Sequence, residues 1–136
     1  MRVLLIDNQT HVRAAIQFLL DQQPGVYVIG TADSSDVLLE QAHMLRPDIV
    51  LISWELWRKP AAELHTALST LDVRPKVIVF SSRPEAEQEA LKSGADAFLC
   101  VYDPPEMFLN VLQTTGDSAR PEDLGSAPDD TRRPAS

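Results

Sequence analysis

Residues 48–53 read DIVLIS, and this stretch decides the fold. Four apolar residues in a row stand between an aspartate and a serine, with no polar residue alternating among them. A strand with one face in water alternates, whereas an unbroken apolar run is buried on both faces. Two more segments read the same way: Arg2–Asp7 (RVLLID) and Lys76–Ser81 (KVIVFS). Strands of this kind belong to a parallel sheet covered by helices on each side.

Outward from these strands the chain alternates strand with helix. Val12, Ile16, Leu19 and Leu20 follow helical spacing, and Pro24-Gly25 ends that helix. Val26–Gly30 (VYVIG) is the second strand. Ser34 or Ser35 caps a helix whose inner stripe is Leu38, Ala42 and Leu45. After the third strand, WELWRKP is expected to leave the sheet as a loop. Pro60 then opens a helix carrying Leu64, Ala67, Leu68 and Leu71. Pro84 starts a fourth helix, which runs to Ser93-Gly94. Asp96–Val101 (DAFLCV) is the fifth strand, and Pro105 opens a fifth helix with Phe108, Val111 and Leu112 inward. The pattern predicts an α/β architecture, a (βα)5 doubly wound parallel sheet of five strands. Ligands in such sheets sit beyond the carboxyl ends of the strands. Those ends are Asp7-Asn8, Ser53 with Trp54-Glu55, Ser81-Ser82 and Val101-Tyr102.

The chain of 136 residues suits one core, expected over residues 1–115. Residues 116–136, GDSARPEDLGSAPDDTRRPAS, hold one large apolar residue, Leu124, and cannot offset their ordering entropy. They are expected to be a disordered tail or linker stub. The formal charge of −8 argues against nucleic acid as a partner, since binding there needs Lys and Arg to displace phosphate counterions. No apolar run is long enough to span a bilayer and MRVLLID is no signal peptide, so a cytoplasmic location is expected, with no membrane contact. The single cysteine, Cys100, lies in the run AFLCV and reads as a buried structural thiol. His11, His43 and His65 fall on separate helices and read as surface residues, so no metal site is expected. No cofactor is expected either. The loop after strand one, DNQTH, has no glycine to cradle a phosphate, and it lacks the Asp-x-His-x-x-Gly pattern of cobalamin modules.

Four segments in order, RVLLIDN, RPDIVLIS, KVIVFSS and SGADAFL, resemble the receiver domains of bacterial two-component response regulators. The resemblance covers about residues 1–115 and implies the flavodoxin-like strand order 2-1-3-4-5. It also implies a phosphorylation cleft, and this sequence departs from the family there. Ser53 stands where the family has its phosphoacceptor aspartate. Val101, followed by Tyr102, stands where it has a lysine. Asp7 and Asn8 stand where two carboxylates are usual. Asp7 and Ser81 still match. A serine hydroxyl is a weak nucleophile without a base. Mg²⁺ seeks charged oxygens in near-octahedral geometry, and valine brings no charge to transferred phosphoryl oxygens.

The resemblance and these departures together imply no enzyme but a degenerate cleft of Asp7, Asn8, Ser53, Glu55, Ser81 and Val101. The domain is then expected to serve as a protein-interaction module, its partner a sensor kinase, an effector or a second copy. Two alternatives stay open: a small-ligand or cofactor binder on the same sheet, and a receiver phosphorylated at an unusual residue. Asp7 also has a plain structural role available, accepting hydrogen bonds from N–H groups that open helix one. Asn8 suits the N-cap of the same helix. Partner contacts are expected from Trp54, Trp57, Phe98 and Tyr102. The two tryptophans are the only ones in the chain, and either can instead fold over the cleft. Trp57, between Leu56 and Arg58, is the best candidate for a solvent-facing anchor. Phe98 matches a family aromatic whose rotamer accompanies activation. Glu85, Glu87 and Glu89 suit the positive end of a helix dipole, and their face offers an acidic docking surface.

Overall fold

The structure, a computed structural model, describes residues 1–59 and 61–117. Strand β3 (Ile49–Ser53) lies at the centre, flanked by β1 (Arg2–Ile6) and β4 (Lys76–Ser81); β2 (Tyr27–Ala32) forms the edge beyond β1 and β5 (Ala97–Cys100) the edge beyond β4. All pairings are parallel, in the order β2-β1-β3-β4-β5. The expected fold class and strand order are those observed. The helices are α1 (Thr10–Asp21), α2 (Leu38–Leu45), α3 (Trp54–Trp57), α4 (Ala61–Ser69), α5 (Glu87–Lys92) and α6 (Pro105–Asp117).

Successive strand residues point to opposite faces, so each inner strand feeds two cores. Leu4, Ile6, Val50, Ile52, Val77 and Val79 pack with Leu38 and Ala42 of α2, Leu64 and Leu68 of α4, and Ala90 of α5. Val3, Leu5, Ile49, Leu51, Ile78 and Phe80 pack with Ile16 and Leu20 of α1 and Phe108 and Leu112 of α6. This is why DIVLIS shows no alternation. At about 25 cal/mol per Å² of buried apolar surface, such two-sided burial is the main force holding the sheet between its helices.

Several element bounds differ from the sequence reading. Strand β2 extends to Ala32, past Gly30, because its edge position leaves Thr31 and Ala32 free to pair with Leu5 and Ile6 across a register shift at Val3/Leu4. Gly30 sits at that shift, where a Cβ would stand 2.9 Å from Leu45 Cδ1. Strand β5 is two residues shorter than expected. The fourth helix begins as a 3₁₀ turn, Pro84–Ala86, before α5. Ser34 Oγ accepts from the Asp36 N–H at 3.0 Å, capping the turn that leads into α2. Asn8 is not the N-cap of α1; Gln9 holds that place and Asn8 is exposed.

The largest correction concerns residues 54–57. They form the short helix α3, not an open loop, and it lies against β4. Trp57 is fully buried in the core shared with α4 and α5, so it is no solvent-facing anchor. Its ring removes more apolar surface from water in the core than a loop position would allow. His65 is half-buried against Gly94 and Cys100 is half-buried. Helix α6 runs through Gly116 and Asp117 with Thr115 buried, two residues past the expected boundary. The remainder of the expected tail, 118–136, lies outside the described residues. Among the described residues, no helix is long and apolar enough to cross a membrane.

Candidate functional site

Parallel pairing brings the carboxyl ends of β1, β3 and β4 to one edge. The Asp7 N–H bonds to the Ala32 carbonyl at 3.0 Å and the Val101 N–H bonds to the Ser81 carbonyl at 2.9 Å, which fixes the ends of β1 and β5 against their neighbours. The resulting cleft of about 220 Å³ is lined by Asp7, Ser53, Trp54, Glu55, Ser81 and Val101, with Tyr102 at its rim. Five of the six expected cleft residues therefore meet. Asn8 does not line the cleft.

Asp7 and Ser53 form its floor, 1% and 6% exposed. Asp7 Oδ1 accepts the Gln9 N–H at 3.2 Å, the local bond expected at the opening of α1. Asp7 Oδ2 and Ser53 Oγ have no hydrogen-bond partner. The two groups are near enough for the hydroxyl to favour the carboxylate, without a bond of normal geometry. Burial raises the Asp7 carboxyl above its ordinary value of 3.8, outweighing the opposing pull of Gln9, Ser53, Asn8 and Arg13. Arg13 is close, but its guanidinium donates to the Asp7 main-chain carbonyl at 2.6 Å and not to the carboxylate.

Glu55 is drawn to the rim. It pairs with Arg83 at 3.2 Å and with Arg58 at 3.9 Å, all three about half exposed. Ser81 Oγ accepts the Arg83 N–H at 3.1 Å and so shapes the turn after β4. Of the four expected partner-contact residues, Tyr102 is 80% exposed while Trp54 is buried at the cleft wall. Phe98 is half-buried and packed on the core face that holds α4 and α5. Trp57 lies in that core as well, and its Nε1–H donates to Ser93 Oγ at 2.8 Å. Sequence reasoning missed Gln9 and Arg13 as holders of Asp7. Their signal was only their place, two and six residues after an aspartate that ends a strand.

The family model described as "Response regulator receiver domain" matches residues 3–101. The chain belongs to that family. This receiver domain is 30% identical over 112 residues to the nitrate/nitrite response regulator protein NarL of Escherichia coli, covering 81% of the chain and 52% of that protein. It is 28% identical to a protein-glutamate methylesterase/protein-glutamine glutaminase of Methanospirillum hungatei, covering 86% of the chain and 34% of that protein. The chain thus spans about a third to a half of the length of these relatives. Among solved structures, the signal receiver domain of the putative response regulator NarL from Mycobacterium tuberculosis superposes with a TM-score of 0.74 at 22% identity, covering 87% of this chain and 97% of that one. The response regulator domain of Thermotoga maritima CheB gives 0.73 at 22% identity, over 88% and 98%. These likenesses support the receiver fold.

Proposed function

We propose that this receiver domain works in two-component signalling as a protein-interaction module that is not operated by aspartyl phosphorylation. The observation that carries the reading is Ser53 at the carboxyl end of β3, buried beside Asp7 where the family resemblance calls for a carboxylate nucleophile. Among the described residues no His or Lys lines the cleft to serve the hydroxyl as a general base. The donors do not fit the divalent cation that the family resemblance implies. Asp7 is the one carboxylate at the cleft floor, Glu55 is engaged by two arginines, and no cluster of three His, Cys, Asp or Glu ligands occurs among the described residues. Val101 supplies no charge to the cleft.

Output then rests on contacts. Tyr102 after β5, Met107 in the first turn of α6 and Leu91 on α5 are large apolar residues at 80%, 50% and 43% exposure. Aromatic and methionine side chains of this kind are enriched in protein interfaces. The direct test is treatment with acetyl phosphate, and separately with beryllofluoride and Mg²⁺. Unchanged intact mass and unchanged amide spectra are expected. A mass gain of about 80 Da that hydroxylamine removes would show an acyl phosphate and overturn the reading.

A further inference from the structure

Two oxygens at the floor of one cleft lack a hydrogen bond of normal geometry, and the one hydroxyl proton between them cannot satisfy both. Asp7 Oδ2 and Ser53 Oγ are both buried and both without a hydrogen-bond partner. A buried polar atom left unpaired costs about 1 to 3 kcal/mol, and more when the group is charged. The cations near the cleft do not answer it. Arg13 is taken by the Asp7 carbonyl, and Arg58 and Arg83 are paired with Glu55. What the floor lacks is a compact cation with several N–H donors.

We infer that the cleft is a receptor for one primary ammonium group, delivered as a lysine side chain of a protein partner. An ammonium carries three donors on a small head, enough to satisfy both orphaned oxygens. A guanidinium is a rigid planar fork suited to bidentate pairing, and a hydroxyl oxygen beside a single carboxylate oxygen does not present that geometry. The walls suit the stem of a lysine: Val12, Trp54, Phe80 and Val101 offer apolar surface along which the methylenes can lie. A volume of about 220 Å³ admits such a chain. The charge of the molecule, −8, favours a basic partner and speeds its approach. This site rests on the reading of the domain as an interaction module, and it specifies the chemistry that module recognises.

The test is an amide-resolved NMR titration of the full chain at constant ionic strength. The probes are Nα-acetyl-lysine-N-methylamide, butylammonium, tetramethylammonium and MgCl₂. The capped lysine should give saturable shifts at Asp7, Gln9, Ser53 and Ser82 with a Kd in the millimolar range, weakened about tenfold or more in Asp7→Asn, a loss of about 1.4 kcal/mol. Val101→Lys, which supplies an ammonium from within, should abolish the response. Tetramethylammonium, which has no N–H, should give none. Saturation by butylammonium with the capped lysine excluded would mean a free amine and not a partner lysine. Equal response to tetramethylammonium, tighter response to Mg²⁺, no saturable shift, or an unchanged response in Asp7→Asn would each sink the proposal. These outcomes are separable from a failure of the interaction-module reading, which is diagnosed by the acyl phosphate alone.

Discussion

Trp57 Nε1 donates to Ser93 Oγ across 36 residues of sequence, and the same hydroxyl donates to the Ala90 carbonyl at 2.7 Å. One serine at the end of α5 thereby joins α3 to α5 and adds a side-chain bond to the Ala90 carbonyl, which also accepts the Ala95 N–H at 3.2 Å. Both ends of the link lie in or beside the core that α2 and α4 share.

The first prediction follows from that link. Trp57→Ala removes a fully buried ring and should cost about 3 to 5 kcal/mol of stability. Trp57→Phe retains an aromatic ring in the core but loses the hydrogen bond, and should cost visibly less. Ser93→Ala leaves the indole N–H without an acceptor and should cost about 1 to 3 kcal/mol. Urea denaturation of the three variants checks the order. A Trp57→Ala protein as stable as wild type would show that the ring is not core.

Asp7 sets a dependence on pH. Its carboxyl is raised in the folded state by burial, whereas the unfolded chain titrates near 3.8. Below that value both states are protonated and the group does not oppose folding. As pH rises through the window between 3.8 and the raised folded value, the unfolded chain loses its proton first, so stability falls. Asp7→Asn, which keeps an oxygen for the Gln9 N–H, should therefore melt higher than wild type at pH 7. The gap should narrow as pH is lowered through the window. A gap that is constant with pH, or reversed at pH 7, would contradict the assignment.

Gly94 is held by a ring. Its φ is +110°, and a Cβ there would collide with the imidazole ring of His65. Gly94→Ala should cost about 1 to 3 kcal/mol from the backbone alone, with further loss from the clash. Pairing it with His65→Ala should recover the clash but not the backbone cost, so the double variant should lie between the single variant and wild type. Full recovery would mean that φ carries no strain.

Composition sets a fourth expectation. Residues 118–136 offer almost no apolar side chain, so a chain ending at Asp117 should melt within about 4 °C of the full chain, roughly 1 kcal/mol for a domain of this size. Ending it at Thr115 is a different experiment. That cut removes Gly116, whose place is only 2.7 Å from Met1 Cε once a Cβ is imagined there, and it should lower the melting temperature measurably.

The sheet was legible because its signal is local. Val50, Leu51 and Ile52 cannot all be buried unless both faces of β3 are covered, and no distant contact is needed to see it. The cleft was legible for the same reason: strands ending in Asp7, Ser53 and Ser81 must bring those residues to one edge of a parallel sheet. Trp57 was not legible. A tryptophan between Leu56 and Arg58 suits a rim or a core equally well, and the residues that bury it and take its indole N–H lie far along the chain, Ser93 36 residues away. Asn8 was misread because Gln9 and Asn8 are adjacent polar residues, and the Gln9 backbone angles place the N-cap one residue later. Glu55 showed its type but not its direction, since Arg58 and Arg83 approach it from both sides.

Each inner strand gives alternate residues to two different helix layers, and this has a consequence for the distances across the cleft. A slip of one residue in β1, β3 or β4 would exchange the side chains of both layers at once, replacing every fitted contact and not just one. Register is therefore an all-or-none property of these strands, with no shallow ladder of near misses. Ser53 and Ser81 are the last residues of their strands and Asp7 the first beyond its own. Their spacing is inherited from the core and needs no reinforcement of its own, so the side chains at those positions are free to change chemistry while their separation stays the same.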